Sequence, residues 1–189
     1  MKYPGGIKVS NTCNISYDNR GMNLEEDINL SNEYYITNNI AFIYKKPTPI
    51  KITRVDYPSR SQAVIKEAFF EEPSTTDYNG LYKGKYIDFE AKETNNKTSF
   101  PLSNIHKHQI QHIRNIINNR GIAFLIVRFN KLNKTFLLDG CSFIEFIDSN
   151  ERKSIPIQYF EEKAKVIKEN YIPRLDYLKV VDEIYMEVS

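Results

Sequence analysis

A chain of 189 residues with a net charge of only +2 is long enough for one domain with a real core. It is not a polyelectrolyte, so any surface for nucleic acid must come from local clustering of cations. Two cysteines, Cys13 and Cys141, exclude a disulfide framework and a cysteine-based metal site and fit a reduced, cytoplasmic setting.

Met1-Lys2-Tyr3-Pro4-Gly5-Gly6 leads to no apolar signal segment. The longest apolar run, Ile122 to Val127, is far too short to span a membrane. Residues 1–17, with an early Pro-Gly-Gly and scattered Asn and Ser, predict a flexible N-terminal arm. Residues 18–189 predict one domain, with no internal repeat and no dividing linker. Asp18-Asn19-Arg20-Gly21 is a turn signal. Asn23 with Glu26 three residues later reads as an N-cap and its capping-box partner. The helix they open carries Leu24, Ile28, Ser31 and Tyr35 at helical spacing and stops near Thr37-Asn38-Asn39. Glu25 sits beside that stripe, where an acid could reach a metal site, though an exposed first-turn acid is commoner.

Ile40 to Tyr44 reads as a buried strand. Lys45-Lys46-Pro47-Thr48-Pro49 follows, and then the alternating run Ile50 to Asp56. The prolines make this a poor central strand. We expect a projecting two-stranded ribbon, at about residues 45–60, with Lys45, Lys46, Lys51, Arg54 and Arg60 along it. Such a ribbon either tracks phosphates or is a solvated edge guarded by lysine and proline. Ala63 to Phe70 is a further strand, leading towards Thr75-Thr76-Asp77.

Tyr86 to Lys92 alternates. Asp88, Glu90 and Lys92 fall on one face of a strand, and Ile87, Phe89 and Ala91 on the other. The apolar face can pack into a core. The other face, with Asp77 nearby, has the Asp…Glu-x-Lys skeleton of a divalent-metal phosphodiesterase site. Carboxylates are hard oxygen ligands, a bound metal polarises phosphate, and a lysine offsets developing negative charge. Glu-x-Lys is also common on solvated strand faces, so the skeleton alone has low specificity.

Ser103 is the expected cap of a second helix through Ile105, Gln109, Ile113, Ile116 and Ile117, with Gly121 as its C′ residue. Gln109 places an amide on the buried stripe, where it needs a partner: backbone, or a metal or its water. His108 and His112 stand at i, i+4, but Gln109-Ile110-Gln111 between them supplies no acid, which disfavours zinc and leaves surface or DNA-facing histidines. Ile122 to Phe129 is a strongly buried strand, and Thr135 to Leu138 is its hairpin partner. Ser142 to Ile147 is strand or short helix. Ile157 to about Lys168 reads as a helix, Tyr171 to Asp176 as extended, and Tyr177 to Met186 as a closing helix. Mixed strands flanked by helices imply an α/β or α+β layered fold.

The ordered runs Asn19-Arg20-Gly21-Met22, Lys45-Lys46-Pro47-Thr48-Pro49, Val55-Asp56-Tyr57-Pro58, Ser74 to Gly80, Tyr86 to Thr94 and Asn96 to Leu102, with Gln109 and the ending Pro173-Arg174-Leu175-Asp176-Tyr177, resemble the RecU family. These are Holliday-junction resolvases of Gram-positive bacteria and their phages. The resemblance covers roughly Tyr17 to the C-terminus. It implies a restriction-endonuclease-like PD-(D/E)xK core with a projecting β-ribbon stalk, a homodimer, and paired Mg²⁺-dependent (or Mn²⁺-dependent) incisions in four-way DNA during recombination and repair. By position it implies Asp77 and Glu90 as metal ligands joined by Thr75 and Gln109, Lys92 as transition-state stabiliser, and Lys45, Lys46 and Arg60 as DNA contacts. It also implies an association with the recombinase RecA and with branch-migration proteins. Asp88 is not assigned as a ligand. Two other functions stay open: a nuclease of this class that cuts duplex or flap DNA, and a binding module that bridges DNA or modulates RecA.

Overall fold

A computed structural model describes residues 23–71 and 75–186, with Arg60 described by its backbone alone. The expected N-terminal arm and the Asp18–Gly21 turn lie outside the described residues.

The first helix, α1 (Leu24–Thr37), starts where the capping box predicts. The Asn23 Oδ1 accepts the Glu26 N–H at 2.8 Å, and Glu26 Oε2 accepts the Asn23 N–H at 3.2 Å. Four strands follow: β1 (Phe42–Lys45), β2 (Ile50–Asp56), β3 (Val64–Phe70) and β4 (Tyr78–Tyr82). A tight turn at Lys83-Gly84 leads to β5 (Lys85–Thr94) and then β6 (Ser99–Pro101). Helix α2 (Lys107–Asn118) crosses over to β7 (Ile122–Phe129), which turns back as β8 (Lys134–Asp139). Helix α3 (Gly140–Ser149), strand β9 (Ser154–Pro156), helix α4 (Ile157–Lys163), strand β10 (Lys165–Val166) and helix α5 (Tyr177–Tyr185) complete the described chain.

Six strands form one sheet in the order β1-β4-β5-β7-β8-β10. Only β5 and β7 run parallel, joined by the α2 crossover that a parallel pair requires. All eight residues of β7 are buried, because helices cover both faces of the sheet. On one face α1 and α5 pack Leu24, Ile28, Tyr177 and Val181 against Ile87, Phe89, Phe124 and Ile126. Tyr78, Phe89 and Phe124 stack in sequence across β4, β5 and β7, at centroid spacings of 4.9 and 4.8 Å. On the other face α2, α3 and α4 bring Ile113, Phe143 and Phe160 onto Leu125, Val127 and Leu138. The expected α+β layering is what the chain forms.

Several local expectations change. Strand β1 is the edge of the sheet, paired to β4, and only Ile43 within it is buried. The ribbon is built by β2 and β3, with Ile50 opposite Phe70 and Asp56 opposite Val64. It therefore runs from Ile50 to Phe70 and leaves Lys45 and Lys46 in the body of the fold. Every residue of β2 and β3 is exposed. Ser103 lies in a short 3₁₀ turn, and α2 is capped at His106. At the other end of α2 the left-handed residue is Arg120 (φ 64°), with Gly121 next. The Gly121 N–H bonds the Ile116 carbonyl and the Arg120 N–H bonds that of Ile117, both at 2.9 Å, which is the Schellman closure. Helix α4 stops at Lys163, and Lys165–Val166 joins β8 as an edge strand.

Candidate active site

Strand β5 sits between β4 and β7, and its two faces divide as the alternation predicts. Ile87 and Phe89 enter the α1/α5 core. Asp88 and Glu90 point towards α2 and have no exposed surface.

Asp77 stands at the start of β4. Its Oδ2 lies 3.4 Å from the Ala91 N–H and 3.9 Å from Lys92 Nζ, and its side chain is partly exposed. Lys92 Nζ also makes a close ion pair with Glu90 Oε1. From α2, Gln109 donates its Nε2 to the same Glu90 oxygen at 2.7 Å. Its own oxygen accepts the His106 N–H at 2.9 Å, as the capping-box partner of α2. One amide thus ends the helix and grips the carboxylate. Four of the expected residues, Asp77, Glu90, Lys92 and Gln109, meet at one place.

The second oxygen of Glu90, Oε2, is buried with no hydrogen-bond partner. An unsatisfied buried carboxylate oxygen is costly. Burial pushes the Glu90 carboxyl up to about 8; Asp77 adds to the rise and Lys92 opposes it. For Lys92 burial acts to lower the ammonium, but Glu90 and Asp77, with Glu25 behind them, outweigh it and hold the group above its usual range. Lys92 is therefore a fixed cation. Among the described residues no group of three or more His, Cys, Asp or Glu side chains is gathered to hold a metal ion. The donor set is one buried carboxylate, Glu90, and one partly exposed carboxylate, Asp77, and oxygen donors of this kind suit a hard cation. Glu90 Oε2 is the atom such an ion would satisfy.

Thr75, two residues ahead of Asp77, is half-buried, with its hydroxyl 3.5 Å from the Thr76 carbonyl. Lys45 pairs closely with Glu25 in the first turn of α1. Arg60 lies at the tip of the ribbon, in the 3₁₀ turn between β2 and β3. Lys46 does not lie along the ribbon as expected. It points inward, to Asp88 Oδ2 at 2.7 Å and Thr76 Oγ1 at 3.0 Å. His112, expected to face solvent or DNA, stands with Nε2 3.2 Å from Asp88 Oδ2. His108 stacks on His106 at 5.3 Å, so the histidine pair at i, i+4 does not converge.

The sequence reading missed this cluster around Asp88. Its partners Lys46, Thr76, Tyr86 and His112 come from segments up to 42 residues away. Only the shared face with Glu90 hinted at it.

The model of a family described as "RecU: Recombination protein U" matches residues 19–183. A Bacillus mycoides protein named Holliday junction resolvase RecU is 54% identical over 196 aligned positions, covering 98% of each chain. A Geobacillus thermodenitrificans protein of the same name is 53% identical and covers 100% of this chain and 99% of its own. Among solved structures, Archaeoglobus fulgidus Hjc, a Holliday junction resolvase, aligns over 71% of this chain and 92% of its own, at 7% identity and a TM-score of 0.40, too loose a likeness to bear on function.

Proposed function

This chain belongs to the RecU family, and from that premise we propose that it is a structure-selective endonuclease. It resolves four-way DNA junctions by metal-assisted phosphodiester hydrolysis in recombination and repair, with a PD-(D/E)xK site. The observation that carries the reading of the site is Glu90: fully buried, gripped through one oxygen by Lys92 and Gln109, and left with its other oxygen unpaired beside Asp77.

Asp77 and Glu90 hold a Mg²⁺ or Mn²⁺ ion, since oxygen donors suit both. Thr75, just ahead of Asp77, completes the proposed oxygen set. Gln109 has its own oxygen committed to the helix cap, so it serves the shell by fixing the rotamer of Glu90. An ion held there would supply polarisation of the phosphate and of an attacking water. Lys92 remains protonated, so it does not act as a base. Its ammonium lies within reach of both carboxylates and stabilises the charge that develops on the phosphoryl oxygens. Burial of Glu90 strengthens its interactions with Lys92 and Gln109.

Selection of the junction falls to shape and phosphates before any base is read. The exposed ribbon carries Lys51, Arg54 and Arg60 away from the body and is the part fitted to enter branched DNA, with Lys45 at its base. A homodimer matches two sites to the twofold symmetry of a four-way junction. The recombinase RecA and branch-migration proteins are its proposed partners, in the cytoplasm. Among the described residues no helix is long and apolar enough to cross a membrane.

The test is incision of a labelled four-way junction and a matched linear duplex, with and without Mg²⁺, by wild type and Glu90→Ala. Symmetric Mg²⁺-dependent nicks in the junction alone, absent in the variant, are expected. Equal cutting of the duplex would make it a general nuclease, and binding without nicks would leave a junction-binding module.

A further inference from the structure

Asp77 is anchored weakly by its own side chain. Among the described residues its carboxylate meets the Ala91 N–H at 3.4 Å and Lys92 at 3.9 Å, and it faces Glu90. Its backbone is held better, because the Lys46 N–H donates to the Asp77 carbonyl at 2.8 Å. The side chains on either side of that bond, Lys46 and Thr76, both end on Asp88. Lys46 Nζ reaches Asp88 Oδ2 at 2.7 Å, and the Thr76 hydroxyl bonds Oδ1 closely. Tyr86 donates its hydroxyl to Oδ2 at 2.9 Å, and His112 of α2 stands 3.2 Å from it. His112 is three residues beyond Gln109 on the same helix, and Gln109 grips Glu90. Asp88 therefore ties together the segment that carries Asp77, the strand that carries Glu90 and Lys92, and the helix that carries Gln109.

A buried ionic cluster of this kind is poor evidence of a stability role. Replacing such clusters by apolar side chains is often neutral or stabilising. Four converging donors are better suited to fixing geometry, as outer-shell partners of metal-binding carboxylates do.

We propose that Asp88 is a positioning residue, which acts through Thr76 and Lys46 to hold Asp77 at the distance from Glu90 and Lys92 that the reaction needs. Lys46 is then part of the site's frame and makes no phosphate contact. The inference rests on the reading of Asp77 and Glu90 as the metal-holding pair.

Four variants test it: Asp88→Asn, Lys46→Met, Thr76→Val and Thr76→Ser. Valine matches threonine in shape, so Thr76→Val removes the bond with little change in packing. Three quantities are measured: kcat and KM for junction incision, junction affinity in EDTA across a salt series, and the Mg²⁺ concentration that half-saturates thermal stabilisation of the DNA-free protein. Asp88→Asn, Lys46→Met and Thr76→Val are each expected to lower kcat about ten- to a hundredfold with KM little changed, and to weaken the Mg²⁺ response about tenfold. Thr76→Ser should keep wild-type values. Affinity in EDTA and its salt slope should not move in Lys46→Met.

Three outcomes would overturn the proposal. One is a salt slope lower by about 1 in Lys46→Met, which marks a phosphate contact. Another is loss of the Mg²⁺ response in Asp88→Asn alone, which would make Asp88 a ligand. The third is unchanged kcat and Mg²⁺ response in Asp88→Asn and Thr76→Val. Should the wild type make no cut in the junction, the resolvase reading fails. The Mg²⁺ response of the DNA-free protein still decides the positioning role.

Discussion

Glu90 is the residue on which most of the site's physics converges. Its carboxyl titrates near 8, above the ordinary value of 4.5, so the folded metal-free protein retains a proton that the unfolded chain has released. The sign follows from linkage: stability is fullest below the ordinary glutamate range and is lost as pH rises through about 8. Glu90→Gln removes that loss. In EDTA the variant should equal wild type near pH 4.5 and exceed it by on the order of 1–3 kcal/mol at pH 9, read from urea unfolding at each pH. Lys92→Met removes the fixed cation and should lower kcat by roughly 10²–10³, with junction affinity in EDTA nearly unchanged. Steady-state incision rates and filter binding check the two halves of that statement. The Glu-x-Lys face of β5 was legible in the sequence because strand alternation is a local rule. The state of Glu90 was not, since its burial comes from α2 and β7.

The edge strand β1 shows how one element supports another. Gly80 lies opposite Ile43 in the β1–β4 pair, and a Cβ there would stand 2.1 Å from the Phe42 carbonyl oxygen and 2.6 Å from Ile43 Cα. Backbone cannot yield to that, so Gly80→Ala should cost roughly 3 kcal/mol and release β1 from the sheet. Since Lys46 follows β1 and its N–H holds the Asp77 carbonyl, incision should fall with it. Hydrogen exchange is expected to show lost protection in β1 and β4 first. Helix α1 was read correctly to both ends, because its capping box is written in four consecutive residues. Helix α2 was read with the wrong cap. Ser103 is a better capping residue than His106 by type, but Gln109 needs to end the helix where it can also reach Glu90, and that requirement lies 19 residues away.

Across the whole molecule, Asp27 of α1 is the point where distant segments are joined. It is almost fully buried, and its carboxylate accepts from Arg128 of β7 at 2.6 Å and from Arg174 at 2.9 Å. Arg174 also lies 3.6 Å from Glu169. Asp27→Ala would remove the buried carboxylate that both guanidinium groups share, leaving each with Glu169, and should destabilise by about 3 kcal/mol, measured by chemical denaturation. The ribbon is the opposite case: β2 and β3 are exposed throughout and, among the described residues, pair with each other in a two-stranded sheet. Lys51→Gln with Arg54→Gln should leave unfolding nearly unchanged. If the ribbon tracks phosphates, the salt slope of junction binding falls by about 2, whereas an unaltered slope would make it a solvated edge.

By itself the sequence determined the class of fold, the order of most elements, the acid-x-lysine face of β5 and the family. All of these rest on local periodicity, capping chemistry and ordered motifs. Tertiary structure alone decided which strand pairs with β2, that Lys46 and His112 turn inward to Asp88, and that Glu90 is buried with one oxygen unpaired. Strand alternation says which face a residue takes, but not what will be packed against that face. A lysine or histidine has the same letter whether it meets solvent, a phosphate or a buried carboxylate.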